Sequence, residues 1–157
     1  MKPFPHEGGF YVETYRASEM LPSKFLSDRY VGPRNLSTAI LYLLTPHAFS
    51  ALHRVKTDEI FHFYLGDTVT MLQLKTDGSS VVITLGQDVT KGQHVQYVIP
   101  SDTWQGMVLK EGGKFALLGT TMAPGFESED FELAQREKLL AQYPTRRQLI
   151  IRLTKSK

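Results

Sequence analysis

Short β-forming segments, evenly spaced and separated by turn dipeptides, constrain this chain more than any other feature. Ser37–Leu44, Phe49–Val55, Glu59–Tyr64, Thr68–Lys75, Val81–Leu85, Val95–Ile99, Thr103–Leu109 and Phe115–Met122 are each rich in β-branched or aromatic residues. Gly66-Asp67, Asp77-Gly78 and Gly112-Gly113 fall between such segments, where they predict hairpin turns. Strand following strand with turns between predicts packed sheets or a barrel rather than βαβ units. FYVETYR, residues 10–16, reads as a leading strand after Gly8-Gly9, and 20–35, with two prolines and a glycine, as a covering loop. The pattern changes after Pro124-Gly125. Ser128 can cap a helix, Glu129 and Asp130 favour its positive end, and Glu132 precedes Arg136 by four. That helix should end before Pro144, with a shorter one over Arg147–Leu153. The expected organisation is one domain over 1–157: a barrel core at about 37–122, an N-terminal strand and loop over 1–36, and a helical tail over 128–157.

Composition narrows the function classes. With 157 residues and 41% apolar content the chain is long enough for one real core. It has no cysteine, which excludes disulfides, iron–sulfur clusters and thiol nucleophiles. Any metal must be held by the five histidines, carboxylates or amides. Eighteen basic against sixteen acidic residues, a net charge of +2, form no dense basic stripe, so nucleic acid is not an expected partner. The basic residues Arg146, Arg147 and Arg152 onward read as the solvated end of a C-terminal helix. No apolar run reaches the roughly 18–20 residues of a membrane span, the N-terminus lacks a signal-peptide core, and Thr154–Lys157 match no lipidation signal. A cytoplasmic setting is expected. No nucleophile-elbow order of Ser, His and Asp appears, which argues against a hydrolase.

One stretch carries a family likeness. His53-Arg54-Val55-Lys56-Thr57-Asp58-Glu59, then six residues and Gly66, has the spacing of the first cupin motif, and Gly92 through Pro100-Ser101-Asp102-Thr103-Trp104-Gln105 follows as a degraded second motif. With PHEGGFYVETYR, STAILYLL, HRVKTDEIFHFYLGD, IPSDTWQ and APGFESEDFELA, the chain resembles the Cupin_5 (DUF985) family from about Pro5 to Thr154. It is also similar to the wider group of cupins shaped like the dTDP-sugar epimerases. The resemblance implies a mainly β, RmlC-like cupin fold, a double-stranded β-helix or jelly-roll barrel, with a short C-terminal helical segment. Metal-binding cupins supply two His and a Glu from the first motif and a third His from the second. Here His53 and Glu59 are present, while Val55 and Gln105 occupy the other two positions. The expectation is therefore no cofactor and no tightly held metal, with a weakly held divalent metal at His53, Glu59 and Gln105 as the alternative.

The candidate catalytic pair is His53 and Glu59. Phe49, Ala51, His53 and Val55 alternate onto one face, which the cupin comparison makes the interior. Glu59 should face His53 from the next strand, fixing its tautomer and raising its basicity. The competing reading is a satisfied polar core group. Gln105 and Thr103 share a face and are candidate ligand contacts, Gln105 offering both donor and acceptor. Trp104 should point the other way, as a packing residue. Arg16, Arg34, Arg54 and Lys56 are the cations nearest the expected mouth and candidates for gripping phosphate; surface solvation is the plain alternative for each. Tyr11, Tyr15 and Tyr42 can line a pocket or sit in the core, and Tyr42 or Tyr97 is a candidate acid partner. His62 and His94 read as surface or interface residues.

The functional expectation is a small-ligand-binding cupin whose pocket takes a nucleotide, such as a nucleoside diphosphate (GDP among them), or a nucleotide-sugar. The alternatives are an epimerase or isomerase acting on an activated sugar through His53 and Glu59, and a metal-dependent cupin enzyme. A homodimer is expected because small open barrels leave edge strands to be covered, with Phe10–Arg16 near the interface.

Overall fold

Inward alternation along eight strands builds the interior. In this computed structural model, which describes residues 1–155, the strands are β1 (Lys2–Pro3), β2 (Phe10–Arg16), β3 (Met20–Leu21), β4 (Arg34–Asn35), β5 (Thr38–Leu44), β6 (Phe49–Val55), β7 (Glu59–Gly66), β8 (Val69–Leu74), β9 (Ser80–Leu85), β10 (Gln96–Ile99), β11 (Trp104–Leu109), β12 (Ala116–Met122) and β13 (Phe131–Leu133). Two helices follow, α1 (Arg136–Gln142) and α2 (Arg147–Arg152). One sheet has the order β1-β2-β5-β12-β7-β10, the other β13-β6-β11-β8-β9, and β3 pairs with β4 alone. The eight long segments foreseen from the sequence match β5 to β12 within a residue or two. Ser156 and Lys157 lie outside the described residues.

The two sheets face each other across a core of Tyr42, Leu44, Phe61, Phe63, Val69, Met71, Leu85, Ile99, Met107 and Leu118, all buried. Such a layer is the expected way for two half-apolar sheets to remove their inner faces from water. The outer face of the five-stranded sheet is covered in turn. Leu52, Leu72 and Leu74 pack against Leu139, Tyr143, Ile150 and Leu153 of the helical tail, with Trp104 at the edge of the cluster.

Of the three expected hairpins, one forms. Asp77-Gly78 joins β8 to β9, which pair antiparallel. Gly66-Asp67 and Gly112-Gly113 instead carry the chain from one sheet to the other, since β7 and β12 belong to the six-stranded sheet and β8 and β11 to the five-stranded one. These two crossovers hold each other. The Asp67 amide donates to the Phe115 carbonyl at 2.7 Å, and the Lys114 amide donates to Asp67 Oδ2 at 2.7 Å. Gly66 has φ of +103°, and a Cβ there would lie 2.4 Å from the Phe115 carbonyl oxygen. Reversal was therefore legible, but not the pairing partner.

The tail also differs from expectation at its start. Phe131–Leu133 form a strand that pairs with β6, and helix begins at Arg136. Glu132 meets Arg54 across that ladder at 2.7 Å rather than Arg136 along a helix. The open edge of β6 offers backbone partners that outweigh local helix propensity.

Candidate functional site

The inner faces of β2, β5, β6, β7 and β12, with residues 4–7 and 126–131, enclose a cavity of about 380 Å³. This lies within the range of small-molecule sites. Phe4, Tyr11, Tyr42, Phe61, Phe126 and Phe131 supply its aromatic walls, and Glu7, His53, Glu59 and Thr120 its polar floor. Arg16, Glu13 and Glu127 stand at the rim, where they are about one-third exposed.

His53 is buried and its ring stacks on Phe131, 5.0 Å between centroids. Its Nδ1 lies 2.7 Å from the Ala51 carbonyl oxygen, which can only accept, so Nδ1 carries the hydrogen. Nε2 is then an acceptor, and Gln105 Nε2 donates to it at 3.1 Å. The same amide donates to Glu59 Oε2. Glu59 thus does not orient the imidazole, as the spacing had suggested. The Ala51 carbonyl fixes the tautomer, and Gln105 sits between the two candidate catalytic groups. Burial, then the nearby Glu7 carboxylate, push the Glu59 carboxyl well above its ordinary value, with the Gln105 hydrogen bond opposing them. Burial and Glu7 also raise the Tyr42 phenol.

Glu7 is the residue that sequence reasoning missed. It is buried, accepts from Ser50 Oγ at 2.7 Å, and brings Oε2 to 3.9 Å from His53 Nε2. Two neighbours make this possible. Gly8 and Gly9 have φ of +109° and +68°, and the Tyr42 hydroxyl donates to the Gly8 carbonyl at 2.7 Å. A Cβ on Gly9 would stand 2.6 Å from the Tyr42 oxygen. The pair turns the chain back over β6 so that Glu7 points inward. A bulge helps from the other side: His53 pairs with Gln105 but Ser50 with Met107, so β6 holds one extra residue. Phe49 consequently joins the helix-side cluster instead of the interior, and Ser50 reaches Glu7.

The cations expected at the mouth separate. Arg16 lines the cavity, but its guanidinium already donates to Glu13, Glu127, Asn35 and the Phe126 carbonyl. Arg34 is fully buried away from the cavity in a two-bond pair with Asp130 at 2.7 and 2.8 Å. Arg54 pairs with Glu132 and lies over the Trp104 ring, 4.5 Å from its centroid. Lys56 Nζ is 3.9 Å from Asp130. Thr103 is buried outside the lining, and Gln105 lies beneath the floor as a bridge. Of the tyrosines, Tyr11 and Tyr42 line the cavity, and Tyr15 is exposed on the outer side.

The donor set does not suit the metal that many cupins hold. Val55 and Gln105 replace two imidazoles, the Gln105 amide turns its hydrogens toward His53 and Glu59, and among the described residues no three His, Cys, Asp or Glu side chains group as ligands. Among the described residues no helix is long and apolar enough to cross a membrane.

The family model described as "Cupin superfamily (DUF985)" matches residues 1–134. An uncharacterized protein of Saccharomyces cerevisiae is 26% identical over 139 residues, spanning 83% of this chain and 69% of its own length. Two solved structures superpose closely. A hypothetical protein from Leishmania major has a TM-score of 0.88 at 25% identity, over 99% of this chain and 93% of its own. A Shewanella oneidensis protein has a TM-score of 0.82 at 31% identity, over 96% and 89%.

Proposed function

From the premise that this chain belongs to the DUF985 family of the cupin superfamily, we propose that it binds a small ligand of nucleotide or nucleotide-sugar class in the barrel, base or sugar inward. The enclosed cavity of about 380 Å³ carries this reading: aromatic walls with polar groups only at the floor and rim. A flat ring loses little on entering such a space and gains stacking of roughly 1–3 kcal/mol per base. The state of His53 favours binding over epimerase or isomerase turnover. Its Nε2 lone pair is occupied by Gln105, which leaves no free base facing the cavity there. We propose that the pocket works without metal, for the reasons of donor chemistry given above.

The phosphates contribute modestly. Arg16 is the only Lys or Arg among the lining residues, and a phosphate at the rim must displace Glu13 or Glu127 from it. A nucleoside and its diphosphate should therefore bind within about tenfold of each other, where a free cationic rim would separate them further. Calorimetry with nucleosides, nucleoside diphosphates and nucleotide-sugars tests this against wild type, His53→Ala and Gln105→Ala. Both substitutions should weaken binding by about tenfold or more, since each strips partners from a buried network. No affinity below millimolar for any compound, or affinity untouched by both changes, would sink the proposal.

We also propose that the protein is a homodimer. Strand β1 covers β2 only at Phe10 and Tyr11, so the backbone of residues 12–16 forms an open sheet edge, with Val12 and Tyr15 exposed beside it. Such an edge invites pairing with a second copy. Light scattering at micromolar concentration should give twice the 17.8 kDa chain mass; the mass of one chain would refute it.

A further inference from the structure

Apart from the Thr120 hydroxyl, the hydrogen-bond donors on the cavity floor are committed within the protein. Gln105 Nε2 serves His53 and Glu59, His53 Nδ1 serves the Ala51 carbonyl, and the Tyr42 hydroxyl serves the Gly8 carbonyl. The floor's unmatched atoms are all oxygens. Thr120 Oγ1, on the lining, and Gln105 Oε1, just beneath it, are buried without a partner among the described residues. Glu7 uses Oε1 on Ser50 and Glu59 uses Oε2 on Gln105, which leaves one acceptor oxygen of each carboxylate for the space between them.

Charge points the same way. Four glutamates line the cavity, Glu7, Glu13, Glu59 and Glu127, against one arginine that two of them already neutralise. Of the other cations near this end, Arg34 and Lys56 lie against Asp130, Lys155 Nζ donates to the His6 carbonyl and Lys2 Nζ lies over the Tyr11 ring, none of them on the lining. Two buried carboxyl groups on one floor, with no lysine or arginine beside them, are costly to ionise unless something brings donors to them. Elsewhere on the lining, the His6, Tyr11 and Ser128 side chains donate no hydrogen bond among the described residues.

We infer that Glu7 and Glu59 determine specificity by accepting hydrogen bonds from the inner end of the ligand. That end is a flat ring bearing an amidine-type edge, an N–H beside an NH₂, neutral as on an aminated heterocycle or cationic as an amidinium. Such an edge can place one N–H on the free oxygen of each carboxylate, as charge-assisted hydrogen bonds. The aromatic walls accept the ring and favour a cation over their faces. Thr120 Oγ1 can take a further N–H. This inference rests on the proposal that the cavity is the ligand site, and it names the chemistry the ligand must show there.

Three flat probes of nearly one shape, benzamidine, benzamide and benzoate, separate the possibilities when titrated calorimetrically into the whole protein at neutral pH. Benzamidine should bind at least about tenfold more tightly than benzamide, and benzoate should not bind. Glu7→Gln and Glu59→Gln, both checked for a native melting transition, should each lower benzamidine affinity by about tenfold and shrink its lead over benzamide. Benzoate or benzamide matching benzamidine, benzamidine affinity unchanged in both variants, or no binding of benzamidine up to roughly 10 mM would each overturn the inference. The two readings fail separately. Benzamidine binding with no nucleotide binding removes the nucleotide proposal and keeps the donor-edge rule. Nucleotide binding that ignores Glu7→Gln and Glu59→Gln does the reverse.

Discussion

Replacing Arg34 or Asp130 with alanine is expected to cost about 3–5 kcal/mol of stability, the range for breaking a buried ion pair from one side. Both residues are almost wholly buried, and two hydrogen bonds join guanidinium to carboxylate. The remaining Arg34 nitrogen donates to the Val31 and Pro33 carbonyls at 2.8 Å, so the side chain also satisfies backbone that the loop before β4 leaves unpaired. Removing Arg34 strands the Asp130 carboxylate and those carbonyls together. Removing Asp130 leaves a guanidinium in the interior. The double change Arg34→Met with Asp130→Leu removes both charges and should cost less than either single alanine, because no lone charge remains. Urea unfolding of the four proteins measures this. Single variants within about 1 kcal/mol of wild type would show that water reaches the pair more freely than its burial indicates.

That pair also marks where the sequence ceased to be readable. The strand segments were legible because each carries its own signal: Thr38, Ile40, Tyr42 and Leu44 alternate inward, and Gly66 and Gly78 sit at positive φ where the chain must turn. Signals of that kind are local. What Arg34 does depends on Asp130, 96 residues away, so a phosphate contact and a structural ion pair look alike in one dimension. The same holds for Gly66-Asp67, whose turn was evident but whose strands belong to different sheets. Family spacing brought His53 and Glu59 to one cavity. The Gln105 bridge between them needed the ladder that pairs β11 with β6. Glu7 lay furthest from view. An acid before two glycines is the one available hint, and its place is set by contact with Ser50, 43 residues on, beside a bulge that no alternation pattern reveals.

Glu59→Gln is expected to stabilise the protein, and to do so more as pH rises. Burial and the Glu7 charge hold the Glu59 carboxyl well above its ordinary value of 4.5, so the folded chain keeps a proton there that the unfolded chain releases. Where the native state binds more protons than the unfolded state, stability falls with increasing pH. The contribution of Glu59 is therefore complete below about pH 4.5 and is lost progressively as pH climbs toward and through the raised value. Glutamine keeps the shape, accepts from Gln105 through its own oxygen, and never ionises. At pH 8 the variant should gain about 1–3 kcal/mol over wild type, the scale of relieving a buried carboxylate that has no cation beside it, and near pH 4.5 the two should converge. Thermal melts across this range give the difference directly. A variant no more stable than wild type at pH 8, or a gap that does not narrow on acidification, would mean that Glu59 is not held against its own charge. A residue that weakens the fold at neutral pH while closing the floor of the proposed ligand cavity is what a stability-for-function exchange looks like. The same substitution should cost affinity for a donor-bearing ligand, so the two measurements on one variant are expected to move in opposite directions.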